Sequence, residues 1–317
     1  MRHFLKETDL SARAVSAVFT RALSLKHNRL GSDKPLAGQS WGLLFFKNST
    51  RTRVSFEVGL HELGAHPVVL DVSRTQIARS ESVADTARVL SRYLHGLIVR
   101  CHGHDVVETF AAEGSIPVVN ALTDFLHPCQ VFADYFTIAE KRTAGCAQPT
   151  GKDLLDALRG LKLAFFGDTN SNMANSLALA GAHLGAEVVL CGPEGWAPGK
   201  AICALMSEAG LGEPTFTTDP DAAADGADVI YTDVWVSMGT EEGASERAAA
   251  FRPYAVDAAL MARAKPGARF MHCLPAYPGK EVTADVLESP QSIVWPQAEN
   301  RLHMQKAILS VLANAEG

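Results

Sequence analysis

Residues 41–64 read "WGLLFFKNSTRTRVSFEVGLHELG", and this stretch decides the fold. The short apolar run 41–46 predicts a buried strand. Phe56, Leu60 and Leu63 then recur three or four residues apart, the spacing of a helix face, and Gly64 stops the pattern. Between strand and helix, Ser49–Arg53 sets two arginines and three hydroxyls in five residues. A helix N-terminus offers free N–H groups and the positive end of the helix dipole, which together hold a phosphate. Ser49, Thr50 and Thr52 add hydroxyl donors, and Arg51 can grip two oxygens at once. The plainer alternative is a capped helix with surface arginines. A Walker loop is excluded because G-x-x-x-x-G-K-[ST] does not occur, and so is a G-x-G-x-x-G dinucleotide fingerprint after a strand.

The strand-then-helix alternation extends in both directions. Further strands are expected at 66–72, 96–100 and 116–120, with a helix opening at Ser82 and Asp85 in capping-box spacing. The Gly- and Pro-bearing stretch 140–153 interrupts the pattern and marks a domain boundary. Beyond it, strands are expected at 161–168, 186–193, 227–234 and 269–275, and the stretch from 298 reads as one amphipathic helix. No internal repeat, low-complexity segment or heptad run occurs. The expected class is α/β, with two domains, each a parallel β-sheet flanked by helices. Their expected spans are 1–140, completed by about 298–317, and 150–290. In such sheets ligands bind at the carboxyl ends of strands.

Composition narrows the function. The chain has 317 residues, 47% hydrophobic and 20% charged, with a net charge of −6. That acidity argues against broad nucleic-acid or anionic-membrane binding. No run is long and apolar enough to span a bilayer, and the N-terminus lacks an apolar signal core, so a cytoplasmic protein is expected. Six cysteines without a C-x-x-C pair suggest reduced thiols rather than disulfides or a zinc site.

Other strand ends carry matching chemistry. Arg100 ends one strand, while "HPCQ" offers His127 and Gln130 at a helix start, with Pro128 suited to its first turn. A lone histidine or terminal arginine is more often structural; their joint placement at one sheet edge changes the weighing. In the second half, "GDTNSNMANS" suits a small polar ligand, "DVWVSMG" places Asp233 and Ser237 after a strand, and "HCLP" does the same for Cys273. Taken singly, Cys273 reads as a buried small hydrophobe.

In order, "STRTR", "HPCQ", "DVWVSMG", "HCLP" and "AENR" closely resemble the ornithine carbamoyltransferases, over nearly the whole chain. The resemblance implies a carbamoyl-phosphate domain followed by an amino-acid domain, the terminal helix folding back on the first. It implies that Ser49, Thr50, Arg51, Thr52 and Arg100 hold the phosphate. Thr52, Arg100 and His127 are then expected at the carbonyl oxygen and Gln130 at the carbamoyl NH2. It also implies a homotrimer in which Gln76 reaches the phosphate of a neighbouring chain. The α-amino and carboxylate groups of L-ornithine are expected at Asn172, Asp233, Ser237 and Met238, with Cys273 and the Leu274 carbonyl near the δ-amine. No cofactor or metal is implied.

The chemistry the resemblance implies is attack of a neutral amine on the carbamoyl carbon, with the oxyanion expected at Thr52, Arg100 and His127. Losing one such donor typically costs ~10²–10³ in rate. An alkyl amine has a reference pKa of about 10.4, so turnover at subsaturating ornithine is expected to rise from neutral to mildly alkaline pH. Two positions depart from the family. Ala276 follows "HCLP" where many relatives carry arginine, and the arginine role is assigned to Arg301 of "AENR". Ser171 stands where relatives often have the first of an Asn pair. The rivals are a carbamoyltransferase for aspartate, putrescine or an N-acylated ornithine, a non-catalytic carbamoyl-phosphate-binding protein, and a dehydrogenase. Asp233 can pair with a free α-ammonium, which favours an unacylated amino acid.

Overall fold

The computed structural model describes residues 2–72, 81–235 and 244–313. The chain divides into two compact units, Met1–Asp156 with Asn300–Gly317, and Ala157–Glu299.

Unit one runs α1 (Ala12–His27), β1 (Ser40–Phe45), α2 (Thr50–Glu62), β2 (His66–Asp71), α3 (Val83–Leu90), β3 (Gly96–Arg100), α4 (His104–Glu113), β4 (Val118–Leu122), α5 (Pro128–Arg142) and α6 (Gly151–Asp156). Its four strands pair in parallel in the order β2-β1-β3-β4. The order reverses between β1 and β3, so their carboxyl ends open a crevice, the position at which parallel sheets bind ligands. Phe45 pairs with Arg100 at that edge. Leu44, Leu97 and Val99 of the sheet pack with Val107 and Phe110 of α4 in a buried core. Helix starts are capped as their sequences predict, Ser49 Oγ accepting from Thr52 N–H at 3.3 Å and Ser82 Oγ from Asp85 N–H at 3.0 Å. The strand expected at 116–120 begins instead at Val118. Pro117 has no N–H and joins the ladder only through its carbonyl, which accepts from Leu97 N–H at 2.8 Å.

The Gly/Pro stretch 140–153 holds the end of α5 and the start of α6, and the units part at Asp156–Ala157. Helix α6 packs on α1. Gly151 permits the approach: a Cβ there would lie 1.9 Å from Ser16 O, while its N–H donates to Thr20 Oγ1 at 3.1 Å.

Unit two runs β5 (Lys162–Phe166), α7 (Asn172–Leu184), β6 (Glu187–Cys191), α8 (Lys200–Glu208), β7 (Thr215–Thr217), α9 (Pro220–Ala224), β8 (Val229–Thr232), α10 (Ala244–Phe251), α11 (Ala258–Met261), β9 (Arg269–His272) and α12 (Ala284–Leu287). Its parallel order is β7-β6-β5-β8-β9, reversing between β5 and β8. Strand β7, three residues at the sheet edge, was not expected, because so short a run shows no periodicity. Ile230, Phe270, Val256 and Val286 anchor the core of this unit.

The last helix, α13, spans Val294–Ala313, starting earlier than expected. It is not amphipathic in use: from Arg301 to Ser310 every residue but Leu302 is buried. Two of its buried polar residues find partners inside unit one. Lys306 Nζ donates to Glu62 Oε2 at 2.8 Å, and Asn300 Nδ2 donates to Thr137 Oγ1 at 2.9 Å and Glu140 Oε2 at 2.6 Å. All six cysteines are free thiols. Among the described residues no helix is long and apolar enough to cross a membrane.

Candidate active site

In unit one the crevice between β1 and β3 receives four of the residues singled out in the sequence. Thr52, in the first turn of α2, is 1% exposed, and its Oγ1 accepts from Arg301 Nη2 at 2.8 Å and from Arg100 Nη1 at 3.4 Å. Arg100 ends β3 and is buried; Arg301 comes from α13 and is buried as well. Two guanidiniums on one hydroxyl repel each other in a poorly solvated place, a cost that a bound dianion would offset.

His127 closes this group from the residue before α5, where Pro128 takes the first helical position. Burial, and then the positive charges of Arg301 and Arg100, hold its pKa well below the usual histidine value. The imidazole is therefore neutral at neutral pH, able to donate one hydrogen bond without adding a third charge. One turn along α5, the buried Gln130 donates through Nε2 to Asp134 Oδ1 at 2.8 Å. That bond turns its amide oxygen away from Asp134, leaving an acceptor suited to an NH2 group. Asp134 was missed in the sequence, although its i+4 spacing from Gln130 was the available signal.

Ser49, Thr50 and Arg51 form the start of α2. Ser49 is its N-cap, Thr50 is exposed, and Arg51 is half-buried. Gln76 lies outside the described residues.

In unit two the switch point between β5 and β8 sets its own group. Asp233 follows β8, and its Oδ1 accepts from Val234 N–H at 2.7 Å and from Cys273 Sγ at 3.0 Å. The Cys273 thiol thus serves as a polar contact beside the carboxylate. Leu274 sits at φ 59°, a left-handed conformation costly for a branched side chain. Its N–H donates to His272 Nδ1 at 2.8 Å, which secures the bend. The other nitrogen of His272, Nε2, stands 3.4 Å from the buried Glu281 Oε1. With Nδ1 accepting, a ring proton falls to Nε2.

Asp233, His272 and Cys273 offer ligand atoms within 4.8 Å of one another, a spacing that could hold a cation. The hydrogen bonds fit that use poorly, because His272 has Nδ1 accepting from Leu274 and Nε2 directed at Glu281.

Asn172 is the first residue of α7, at the carboxyl end of β5. Its neighbour Ser171 is the N-cap, Oγ accepting from Ala174 N–H at 3.2 Å, so the residue that departs from the family pattern has a structural task. Ala276 packs against the apolar core of unit two, while Arg301 lies in the Thr52 group of unit one. Ser237 and Met238 lie outside the described residues. Asp168, after β5, was also missed. Its Oδ2 lies 3.2 Å from Arg247 Nη1 of α10.

Comparison with known proteins gives these two groups a context. Residues 2–140 match the family model described as aspartate/ornithine carbamoyltransferase, carbamoyl-P binding domain. Residues 159–312 match aspartate/ornithine carbamoyltransferase, Asp/Orn binding domain. The ornithine carbamoyltransferase of Geobacter metallireducens is 44% identical over 98% of this chain and 99% of its own length. That of Acidothermus cellulolyticus is 46% identical over 100% of this chain and 98% of its own. The structure of ornithine carbamoyltransferase from Pyrococcus furiosus superposes with a TM-score of 0.86 at 44% identity, covering 97% of this chain and 96% of that one. With both halves matched and full-length relatives at this identity, the chain belongs to the aspartate/ornithine carbamoyltransferase family.

Proposed function

We propose that the protein transfers the carbamoyl group of carbamoyl phosphate to the δ-amine of L-ornithine, giving L-citrulline and phosphate. The observation that carries this is the Thr52–Arg100–Arg301 convergence beside a neutral His127, within the unit that matches a carbamoyl-phosphate-binding model. A dianionic phosphate suits the two guanidiniums and the N-terminus of α2 with Ser49, Thr50 and Arg51. As the amine attacks, charge builds on the carbonyl oxygen, and Thr52, Arg100 and His127 are donors that can meet it. Gln130, held by Asp134, accepts from the carbamoyl NH2. The C–N bond forms, the C–O bond to phosphate breaks, and the amine's proton is lost to solvent or to the departing phosphate.

In unit two, Asp233 takes the α-ammonium, Asn172, Ser237 and Met238 complete the amino-acid contacts, and Cys273 with Leu274 O borders the δ-amine. Ornithine is favoured over aspartate by the names of the similar proteins and by Asp233, a carboxylate placed where a second substrate carboxylate would be repelled. The family resemblance further supports a cytoplasmic homotrimer with Gln76 supplied by a neighbouring chain. Exposed Val54 and Tyr93 on unit one are apolar surface that such an assembly could cover.

The test is product formation with carbamoyl phosphate and, in turn, ornithine, N-acetylornithine, N-succinylornithine, putrescine and aspartate, reading both phosphate and the carbamoylated product. Turnover with ornithine and not with the others is expected. Preference for an acylated ornithine would overturn the acceptor half of the reading, and binding of carbamoyl phosphate without any transfer would overturn the enzymatic one.

A further inference from the structure

Two carboxylates leave the same edge of the second sheet. Phe166 of β5 pairs with Thr232 of β8, and the Thr232 hydroxyl donates to Phe166 O at 2.7 Å, tying the strand ends together. Asp233 is the next residue on one side. On the other, Gly167 at φ 131°, a conformation open mainly to glycine, turns the chain so that Asp168 follows. Only Asp233 is needed to meet the α-ammonium of an amino acid. A second negative charge nearby would also attract a cation, and the reacting δ-amine must shed its proton to attack.

The structure supplies a counter-charge. Arg247 Nη1 lies 3.2 Å from Asp168 Oδ2, and Asn170 N–H donates to Asp168 Oδ1 at 3.1 Å. Both side chains are substantially covered, Asp168 at 19% and Arg247 at 33% exposure, so their charges are only partly screened by solvent. Among the described residues, the other ionisable groups at this edge have contacts of their own. Cys273 donates to Asp233, and His272 is held between Leu274 N–H and Glu281. Burial raises the Asp168 pKa, Asp233 pushes it the same way, and Arg247 and the Asn170 N–H oppose them.

We propose that Asp168 and Arg247 are a positioning pair for the acceptor amine: Arg247 cancels the Asp168 charge, so that the amino-acid face presents one uncompensated carboxylate, Asp233. This rests on the reading of unit two as the ornithine-binding unit. The pair sets the proton affinity of the bound δ-amine without touching the reacting atoms.

The experiment is the pH dependence of kcat, which reports the bound complex, against that of kcat/KM, which reports free enzyme and free substrate. In R247Q, the bare Asp168 carboxylate holds the proton on bound ornithine, and the acid limb of kcat moves up by about 0.5–1 pH unit. In D168N, the bare Arg247 cation moves that limb down by a similar amount. R247K and the double variant D168N/R247Q keep the wild-type position. Throughout, the kcat/KM limb set by free ornithine stays in place. A purely structural pair would lower activity in both single variants without shifts of opposite sign, and that result, or no shift in either, would overturn the proposal while leaving ornithine as the substrate. Wild-type protein that does not turn over ornithine would overturn both readings.

Discussion

Arg301 Nη2 donates to Thr52 Oγ1 at 2.8 Å across 249 residues of sequence, joining the last helix to the first turn of α2. The contact makes α13 part of the proposed anion site rather than a trailing element. Arg301 is held in turn from its neighbour: Asn300 donates to Glu140, whose carboxylate also receives Lys26 Nζ at 2.9 Å. R301Q is expected to lower kcat by ~10²–10³, the usual cost of one oxyanion or phosphate donor. Steady-state kinetics should show this together with a raised KM for carbamoyl phosphate. Unchanged kinetics would remove Arg301 from the site.

The Asp233–Cys273 contact predicts a separation of effects. D233N is expected to raise the KM for ornithine about 10–100-fold, the worth of a hydrogen bond to a charged group. Binding of carbamoyl phosphate, measured by calorimetry, should stay as in wild type. C273A should cost less than tenfold, since a thiol is a weak donor.

Stability should respond to the buried Lys306–Glu62 pair. Burial works to raise the Glu62 pKa, yet hydrogen bonds and charge from Lys306 and Arg29 outweigh it and leave the pKa lowered. A lowered carboxyl pKa contributes stability that is complete above the unfolded value and is lost as pH falls through the folded one. K306M leaves Glu62 with Arg29, whose side chain is half exposed, and is expected to cost about 3 kcal/mol. The double variant K306M/E62L should recover most of that loss in denaturant titrations.

His127 adds a slope of the same sign in a different pH window, because the fold disfavours its charged form. Its pKa is lowered in the fold, so between that value and about 6.5 the unfolded chain binds more protons. Stability of unit one should therefore rise with pH through that window, by at most ~1.4 kcal/mol per pH unit, and the slope should flatten in H127Q. Added phosphate should raise the His127 pKa, visible as a shifted imidazole titration by NMR, because an anion offsets Arg100 and Arg301.

Much of this was legible in the sequence because local chemistry and fold agree. Ser49 before Thr50–Glu62 and Pro128 opening α5 are signals whose mechanism is local, and both stand where expected. The strand order was not legible, since periodicity says nothing of which strands neighbour each other. Asp134, Asp168, Arg247 and the His272–Glu281 pair escaped for a related reason: their roles depend on partners brought close by folding. The terminal helix misled most. Its polar residues suggested a solvated face, whereas Lys306 and Asn300 are buried against Glu62 and Glu140.

The most direct test of the central claim follows the carbamoyl carbon itself. The protein is mixed with carbamoyl phosphate labelled with carbon-13 at that carbon and with L-ornithine, and the label is followed by NMR. The account predicts that the signal moves to the ureido carbon of citrulline, with one phosphate released per citrulline formed. Decay of the label to bicarbonate at a rate independent of ornithine, with no ureido signal, would contradict it.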